Sequence, residues 1–139
     1  MMVDTMSDSY RLGQIVPSSN VTMETEIPAI LQARPNHYEE SFTFHSSRMR
    51  MQSVTQEELE RMDDQSEDCA TLLSDARCDV LSYACLVGIM AQGPGYHEES
   101  EAALRQKTIE NDAEAPVVTS AGALVRAIER LEAERVTLI

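Results

Sequence analysis

The chain has 139 residues, of which 42% are hydrophobic. That is enough for one α/β domain, which buries roughly two thirds of its unfolded surface. Its net charge of -13, from 24 acidic and 11 basic residues, argues against a surface for nucleic acid or for anionic membranes, because no basic stripe can neutralise phosphates. The same charge repels an anionic substrate, which would need local donors such as the N–H groups at helix starts.

Residues 1–9 are polar and acidic, and this pattern predicts a disordered lead before an α/β domain over residues 10–139. The lead lacks the basic and apolar regions of a signal peptide, and no apolar run is long enough to span a bilayer. Cys69, Cys78 and Cys85 are an odd number of cysteines at wide spacings, which is typical of reduced thiols. We therefore expect a cytoplasmic protein.

Strand and helix patterns alternate along the rest of the chain. Ser18, Ser19 and Asn20 are cap-type residues before the first helix, and Thr55 with Glu58 forms a capping box before a long one. In chain order, the predicted elements are a strand over 12–16, a helix over 22–31, a strand over 42–46, a helix from 55 to about 77, a strand over 80–85, a helix over 98–110, a strand over 116–119, a helix over 121–134 capped by Ser120, and the start of a fifth strand over 136–139, where the sequence stops.

This alternation predicts a parallel sheet with helices on both faces, because each right-handed crossover must be long enough to hold a helix. We expect a flavodoxin-like strand order, with the first and third strands adjacent. In open parallel sheets the ligand crevice lies outside the carboxyl ends of the strands, where the strand order reverses. For this order, the crevice falls between the ends of the first and third strands.

Those two strand ends carry the residues Pro17-Ser18-Ser19-Asn20 and Cys85-Leu86-Val87. Cys85 therefore faces the predicted crevice, whereas Cys69 falls on the apolar stripe of the long helix and Cys78 lies at the opposite end of the sheet. Helix starts near Cys85 would lower the pKa of its thiol and favour the nucleophilic thiolate. A small buried cysteine at the end of a core strand explains the position equally well.

Other candidate groups are weaker. No metal site is expected, because His97 lacks the second histidine of a zinc-protease motif, His37 and His45 lie apart, and the cysteines lack CxxC spacing. Arg48 and Arg50 have the geometry to hold a carboxylate, although ion pairs on the surface of an acidic chain are the favoured interpretation. Ser120 offers a hydroxyl at a helix start to an anion, but helix capping explains it equally well.

Several blocks of this sequence resemble the maleate cis-trans isomerase family of the Asp/Glu racemase and arylmalonate decarboxylase superfamily. The blocks cover residues 11–26, 44–51, 83–87, 93–97 and 119–124, in order, and the likeness extends over nearly all of 10–139. The most specific ones are Pro17-Ser18-Ser19-Asn20 and Ala84-Cys85-Leu86-Val87. Both stand at the predicted strand ends.

The resemblance implies the cofactor-independent conversion of maleate to fumarate. A thiolate adds to one alkene carbon, a succinyl-cysteine intermediate forms, and rotation followed by elimination gives the trans acid. By the same resemblance, Cys85 is the nucleophile, Asn20 binds the substrate, and Leu86 and Val87 hold a substrate carboxylate with their backbone N–H groups. It also implies a homodimer and a role in degrading nicotinate-type compounds.

The resemblance further implies a fold of two similar halves with the active site between them. The second half supplies another cysteine as proton donor, together with a tyrosine and an asparagine for the substrate. This chain matches the first half alone, so we expect a fragment or a truncated gene product that is inactive by itself. The alternatives are a racemase or decarboxylase of the same superfamily, and a non-catalytic remnant that serves as a binding module.

Overall fold

The computed structural model describes residues 8–34, 39–132 and 134–137. The predicted lead therefore lies mostly outside the described residues, as do His37, Leu138 and Ile139. The elements in chain order are β1 (Ser9–Pro17), α1 (Thr22–Gln32), β2 (Ser41–Met49), α2 (Gln56–Asp63), α3 (Ser66–Asp75), β3 (Val80–Tyr83), α4 (Leu86–Ala91), α5 (Tyr96–Glu110), β4 (Val117–Thr119) and α6 (Ser120–Arg130).

The four strands form one parallel sheet in the order β2-β1-β3-β4. β1 is central, pairing with β2 along its whole length and with β3 from Leu12 to Ile15. This order confirms the predicted adjacency of the first and third strands. The chain moves to one side of β1 for β2 and to the other for β3 and β4, and right-handed crossovers then place α1 on the opposite face from α2, α3 and α5.

The main core lies on one face of the sheet. Tyr83, Ile15 and Leu81 point into it from the strands and are almost completely buried. They pack with apolar side chains from α2, α3, α4 and α5, including Leu59, Met62, Cys69, Leu73, Ile89 and Leu104. The face covered by α1 is thinner, because α1 contains no fully buried residue. None of the helices in the described ranges has the length and apolar character needed to cross a bilayer.

The long helix predicted from 55 to 77 is wrong, because α2 and α3 are separate helices with Asp64 and Gln65 between them. The Gln65 amide donates to the carbonyl of Arg61 in the last turn of α2 and accepts from the N–H of Arg50, which ties the break to the segment after β2. Thr55 caps α2 as predicted, accepting from the N–H of Glu58 at 3.3 Å. The carboxylate of Glu58 instead accepts from the N–H groups of Gln52 and Ser53.

Other boundaries also differ from prediction. β3 ends at Tyr83, and the unpredicted helix α4 begins right after Cys85. Residues Val136 and Thr137 of the predicted fifth strand have no regular structure, while its last two residues lie outside the described ranges. β1 begins at Ser9, one residue before the predicted domain boundary at 10, because it pairs with β2 from Ser9 onward.

Gly13 in β1 is a position where only glycine fits without adjustment. A Cβ atom there would lie 2.4 Å from Leu81 Cδ2 and 3.2 Å from Cys78 Sγ. We predict that Gly13→Ala lowers the free energy of unfolding by about 1–3 kcal/mol, because an added methyl group overpacks the core.

The control is the same substitution in a Leu81→Val background, which removes one methylene and draws the clashing methyl group back. Urea unfolding of the four proteins of this double-mutant cycle gives the coupling energy. We expect Gly13→Ala to cost less beside Val than beside Leu. Strictly additive costs would contradict the contact.

Candidate active site

The carboxyl ends of β1 and β3 lie side by side. Ile15 pairs with Tyr83, and the N–H of Ala84 donates to the carbonyl of Ile15 at 2.8 Å. Pro17 and Cys85 each lie two residues further along their strands, so both stand at the edge where the crevice is predicted. The half-buried Cys85 thus lies at the same edge of the sheet as the loop that follows β1.

That loop is a tight turn from Pro17 to Asn20. The N–H of Asn20 donates to the carbonyl of Pro17 at 2.9 Å, so Ser18 and Ser19 occupy the corner. The side-chain oxygen of Asn20 accepts from the N–H groups of Thr22 and Met23 at 2.9 and 3.3 Å. The N-cap position is Val21, which has no side-chain cap of its own, so Asn20, one residue earlier, satisfies the first N–H groups of α1 in the manner of a cap. Its side-chain NH₂ has no acceptor among the described residues.

The two serines in the turn have different environments. The hydroxyl of Ser18 donates to the carbonyl of Met51 and accepts from its N–H, at 3.2 and 3.0 Å. It therefore ties the turn to the segment after β2. Ser19 is exposed, and its hydroxyl has no partner among the described residues. Of the two, Ser19 is the one whose hydroxyl is free for a ligand.

Arg48 at the end of β2 also braces the turn. Its guanidinium donates to the carbonyls of Ser18 and Asn20 at 3.1 and 3.0 Å and forms an ion pair with Glu24. These contacts agree with the favoured interpretation of surface pairing rather than with a carboxylate clamp. Arg50 lies beyond the strand beside a surface cavity of about 450 Å³ that Glu58, Arg61 and Asp64 also line.

Cys85 is the N-cap residue of α4, which sequence patterns did not predict. Its sulfur accepts from the N–H of Gly88 at 3.3 Å. Gly88 is required by this close approach, since a Cβ there would lie 3.1 Å from the sulfur and 2.8 Å from Met62 Cε. The thiol is thus held between the start of α4 and the end of α2.

The predicted lowering of the Cys85 pKa is wrong. Burial raises the pKa of the thiol above its ordinary value, and the negative charge of Asp63 raises it further. The N–H groups of Gly88 and Val87 act in the opposite direction but do not outweigh these effects. The helix start does favour the thiolate, as expected, but desolvation is the larger contribution.

Leu86 and Val87 form the exposed first turn of α4. The N–H of Leu86 has no acceptor among the described residues, whereas that of Val87 is directed at the Cys85 sulfur. The side chain of Leu86 lines an apolar groove of about 340 Å³ that runs between α4 and α6, together with Ile89, Met90, Gly93, Pro94, Gly95, His97, Ala121, Leu124 and Val125. We call it the α4–α6 groove.

Ser120 is the first residue of α6, but it does not cap the helix. The N-cap is Thr119, whose hydroxyl accepts from the N–H of Gly122 at 2.9 Å and donates to Glu101. The hydroxyl of Ser120 donates to the carbonyl of Tyr83 at 2.9 Å, which joins the ends of β3 and β4. Ser120 therefore has a structural partner and lies beside the Cys85 strand end.

Glu101 and Arg126 complete the connections around Thr119. Partial burial alone would raise the pKa of the Glu101 carboxyl, but hydrogen bonds from Arg126 and Thr119 outweigh it and lower the pKa below its ordinary value. Both oxygens of Glu101 accept from the Arg126 guanidinium at 3.1 Å. This pair fixes α5 against α6 and is one that sequence patterns did not reveal.

The remaining cysteines are structural. Cys69 on α3 and Cys78 before β3 are buried, and burial raises the pKa of both thiols. Within the described ranges, no three His, Cys, Asp or Glu side chains lie close enough together to hold a metal ion. Of the three thiols, Cys85 is the least buried and the one at the predicted crevice.

Three residues close to Cys85 were not predicted from the sequence. The buried carboxylate of Asp63 accepts hydrogen bonds from the hydroxyls of Tyr83 and Tyr96. One signal was available, because Asp63 stands four residues after Leu59 on the apolar stripe of α2. An acidic residue at an inward position needs buried donors.

The cap role of Asn20 predicts a stability difference between two substitutions. Asn20→Ala removes the acceptor for two N–H groups and is expected to cost about 1 kcal/mol of unfolding free energy. Asn20→Asp keeps an acceptor at the positive end of α1 and should leave stability near that of the native chain. Urea unfolding measures both, and equal stability of the alanine variant and the native chain would refute the cap.

The chain is similar in sequence to known proteins. No protein-family model matches the chain. It is 62% identical over 135 residues to the maleate isomerase of Geobacillus stearothermophilus, covering 96% of this chain and 54% of that protein. It is 46% identical over 129 residues to the maleate isomerase of Nocardia farcinica, covering 93% of this chain and 50% of that protein. The chain thus spans about half the length of these curated relatives.

Solved structures agree. The maleate isomerase Iso from Pseudomonas putida S16, in a mutant form with maleate, matches with a TM-score of 0.90 at 61% identity, covering 92% of this chain and 51% of that one. A Nocardia farcinica maleate cis-trans isomerase mutant with a covalently bound succinylcysteine intermediate matches with a TM-score of 0.86 at 45% identity. The match covers 91% of this chain and 51% of that one. An arylmalonate decarboxylase mutant, at 22% identity and a TM-score of 0.67, shares the fold. The chain is therefore homologous to about half of a maleate isomerase and has the Asp/Glu racemase-like fold of those enzymes.

Proposed function

We propose that this chain forms one half of the active site of a maleate cis-trans isomerase, with Cys85 as the nucleophile. The observation that carries the proposal is the position of Cys85, half-buried at the end of β3 and level with the Pro17–Asn20 turn of β1. The similarity of nearly the whole chain to maleate isomerases supports maleate as the substrate. The decarboxylase shares only the fold, at 22% identity, so the isomerase is the better-supported activity.

In the proposed reaction the Cys85 thiolate attacks one alkene carbon of maleate. A C–S bond forms, the π electrons move to the neighbouring carbon and its carboxylate, and a proton added there gives a succinyl-cysteine. The C–C bond that was the double bond is now single and can rotate. Loss of a proton from the protonated carbon and of the sulfur from its neighbour then gives fumarate and restores the thiolate. The proposed steps use no cofactor, because the sulfur itself forms and releases the covalent bond and no net oxidation or reduction takes place.

Three groups are proposed to hold the substrate. The side-chain oxygen of Asn20 accepts from α1, and its NH₂, which has no acceptor among the described residues, can donate to a carboxylate. The N–H groups of Leu86 and Val87 lie at the start of α4, where the partial positive charge of the helix favours an anion. Ser18, Ser19 and Ser120 are further candidates at this edge; Ser18 and Ser120 already bind backbone groups, and Ser19 has the hydroxyl without a partner among the described residues.

We further propose that a second half of the fold completes the site. The α4–α6 groove exposes Met90 and Leu124, which are 63% and 44% exposed. Cys85 caps α4, the helix that forms one wall of this groove. An apolar surface beside a nucleophile is expected to be covered in the active enzyme. Relatives of about twice this length have the additional chain to cover it. The homodimer, the cytoplasmic location and the role in nicotinate degradation stay predictions.

The nucleophile can be tested by the mass of the intact protein after incubation with maleate. We expect an adduct of one maleate on the native chain and none on Cys85→Ala. Because burial raises the pKa of the Cys85 thiol, the rate of adduct formation should rise with pH across the range in which the protein stays folded.

Asn20→Asp provides the matched control for substrate binding, because it keeps the cap of α1 but replaces the amide donor with a negative charge. Its adduct is expected to form at least tenfold more slowly, roughly the loss of one hydrogen bond to a charged group. Adduct formation at the native rate in Cys85→Ala would exclude Cys85 as the nucleophile.

Because the proposed site needs a second half, we predict that the 139-residue chain alone does not convert maleate to fumarate. Purified chain mixed with maleate should give no fumarate above the rate without protein, whereas the full-length Pseudomonas putida relative assayed in parallel should give it readily. Loss of maleate absorbance with product identification by chromatography measures both. Fumarate production by this chain at a rate above about 1 per second, within the range of ordinary enzymes, would overturn the prediction.

A further inference from the structure

A buried carboxylate lies behind Cys85. Asp63 is the last residue of α2 and is only 8% exposed. It accepts from the hydroxyl of Tyr83 at 2.7 Å and from that of Tyr96 at 2.5 Å. Among the described residues no Lys, Arg or His forms an ion pair with Asp63, so the two hydroxyls are its charge-stabilising partners.

These contacts connect Asp63 to both ends of the segment that carries the thiol. Tyr83 lies two residues before Cys85 on β3, and Tyr96 begins α5 after the loop that follows α4. Met62, next to Asp63, contacts the place where Gly88 passes the Cys85 sulfur. The end of α2 therefore contacts the segment before the thiol, the turn that holds it and the helix after it.

We propose that Asp63 is a positioning residue that sets the charge environment of Cys85: its hydrogen bonds from Tyr83 and Tyr96 hold the carboxylate behind the Cys85–α4 turn, where its negative charge opposes formation of the thiolate. The charge keeps the thiol protonated until the proposed second half brings further hydrogen-bond donors to the site. This inference rests on the proposed function, because it assigns a role to Asp63 in preparing that nucleophile.

The electrostatic part depends on which charged groups face the thiol. α2 presents Asp63, with the exposed Asp64 beside it, and α5 presents Tyr96 and His97. α6 faces α4 with the apolar residues Ala121, Leu124 and Val125. Of these groups, Asp63 is the one whose charge acts on Cys85, and it acts in the same direction as burial.

The two tyrosines limit that effect. Each hydroxyl donates a proton toward the carboxylate and draws its negative charge away from the sulfur. Burial of Tyr83, together with the Asp63 charge, raises the pKa of its phenol far above the ordinary value, and the same causes raise the pKa of Tyr96. Both hydroxyls therefore stay protonated donors at pH 7, where alkylation is compared.

The test is the rate of Cys85 alkylation by iodoacetamide as a function of pH, followed by mass mapping of the Cys85 peptide. Asp63→Asn removes the charge and keeps a similar shape, so we expect alkylation at pH 7 to be about tenfold faster, with the pH profile moved to lower pH. Asp64→Asn removes an adjacent exposed charge and should leave the profile unchanged.

Tyr83→Phe distinguishes an effect of the Asp63 charge from a loosening of the Cys85–α4 turn. It removes one donor while the ring keeps its packing, so the Asp63 charge acts more strongly and alkylation should be about threefold slower at pH 7. A loosened turn would expose the thiol and make alkylation faster in both variants. Opposite directions therefore support the proposal, whereas two faster variants or two unchanged ones overturn it.

Thermal unfolding followed by circular dichroism shows which variants fold. If Asp63→Asn does not fold, Tyr83→Phe decides alone: slower alkylation supports the proposal, and native or faster alkylation overturns it. Alkylation needs no maleate, so a failed maleate adduct with the expected alkylation pattern would refute the proposed function and leave the effect of Asp63 on Cys85 established.

Discussion

The parallel pairing of β1 with two neighbours is the constraint on which the rest of the structure depends. Because β2 lies on one side and β3 on the other, the chain reverses its direction of travel across the sheet at β1. This reversal opens a gap between the helices above the carboxyl ends of β1 and β3. The Pro17–Asn20 turn and Cys85 lie at that same edge because both strands end there, although Asn20 and Cys85 are 65 positions apart in the sequence.

Most groups at this edge have a structural role besides the chemical one proposed. Asn20 caps α1 with its oxygen and leaves its NH₂ free, and Cys85 caps α4 with its sulfur. Arg48 is held by the Ser18 and Asn20 carbonyls and by Glu24. Moving any of these groups would therefore leave backbone groups of the neighbouring turn unsatisfied, which holds this edge of the sheet in place.

The sequence was sufficient to predict what depends on local pattern and chain connectivity. The alternation of strands and helices, the adjacency of β1 and β3, and the position of Cys85 at their shared edge follow from hydrophobic periodicity and right-handed crossovers. The break between α2 and α3 did not follow, because Asp64 and Gln65 are compatible with a helix and the side chain of Gln65 stabilises the break through contacts that are visible only in three dimensions. The cap at Thr119 rather than Ser120 is a shift of one residue within the usual uncertainty of helix ends.

The direction of the Cys85 pKa was the prediction most in need of the structure. A helix start is visible in sequence and favours a thiolate, but the depth at which the sulfur lies and the carboxylate behind it are not. Burial, Asp63 and the overall charge of -13 all oppose a thiolate here, and they equally oppose a substrate with two carboxylates. The N–H groups of this half and the Asn20 amide are partial charges only. We therefore expect the chain alone to add maleate slowly, and addition at enzymatic rates to require further donors from the other side of the crevice, which the proposed second half would supply.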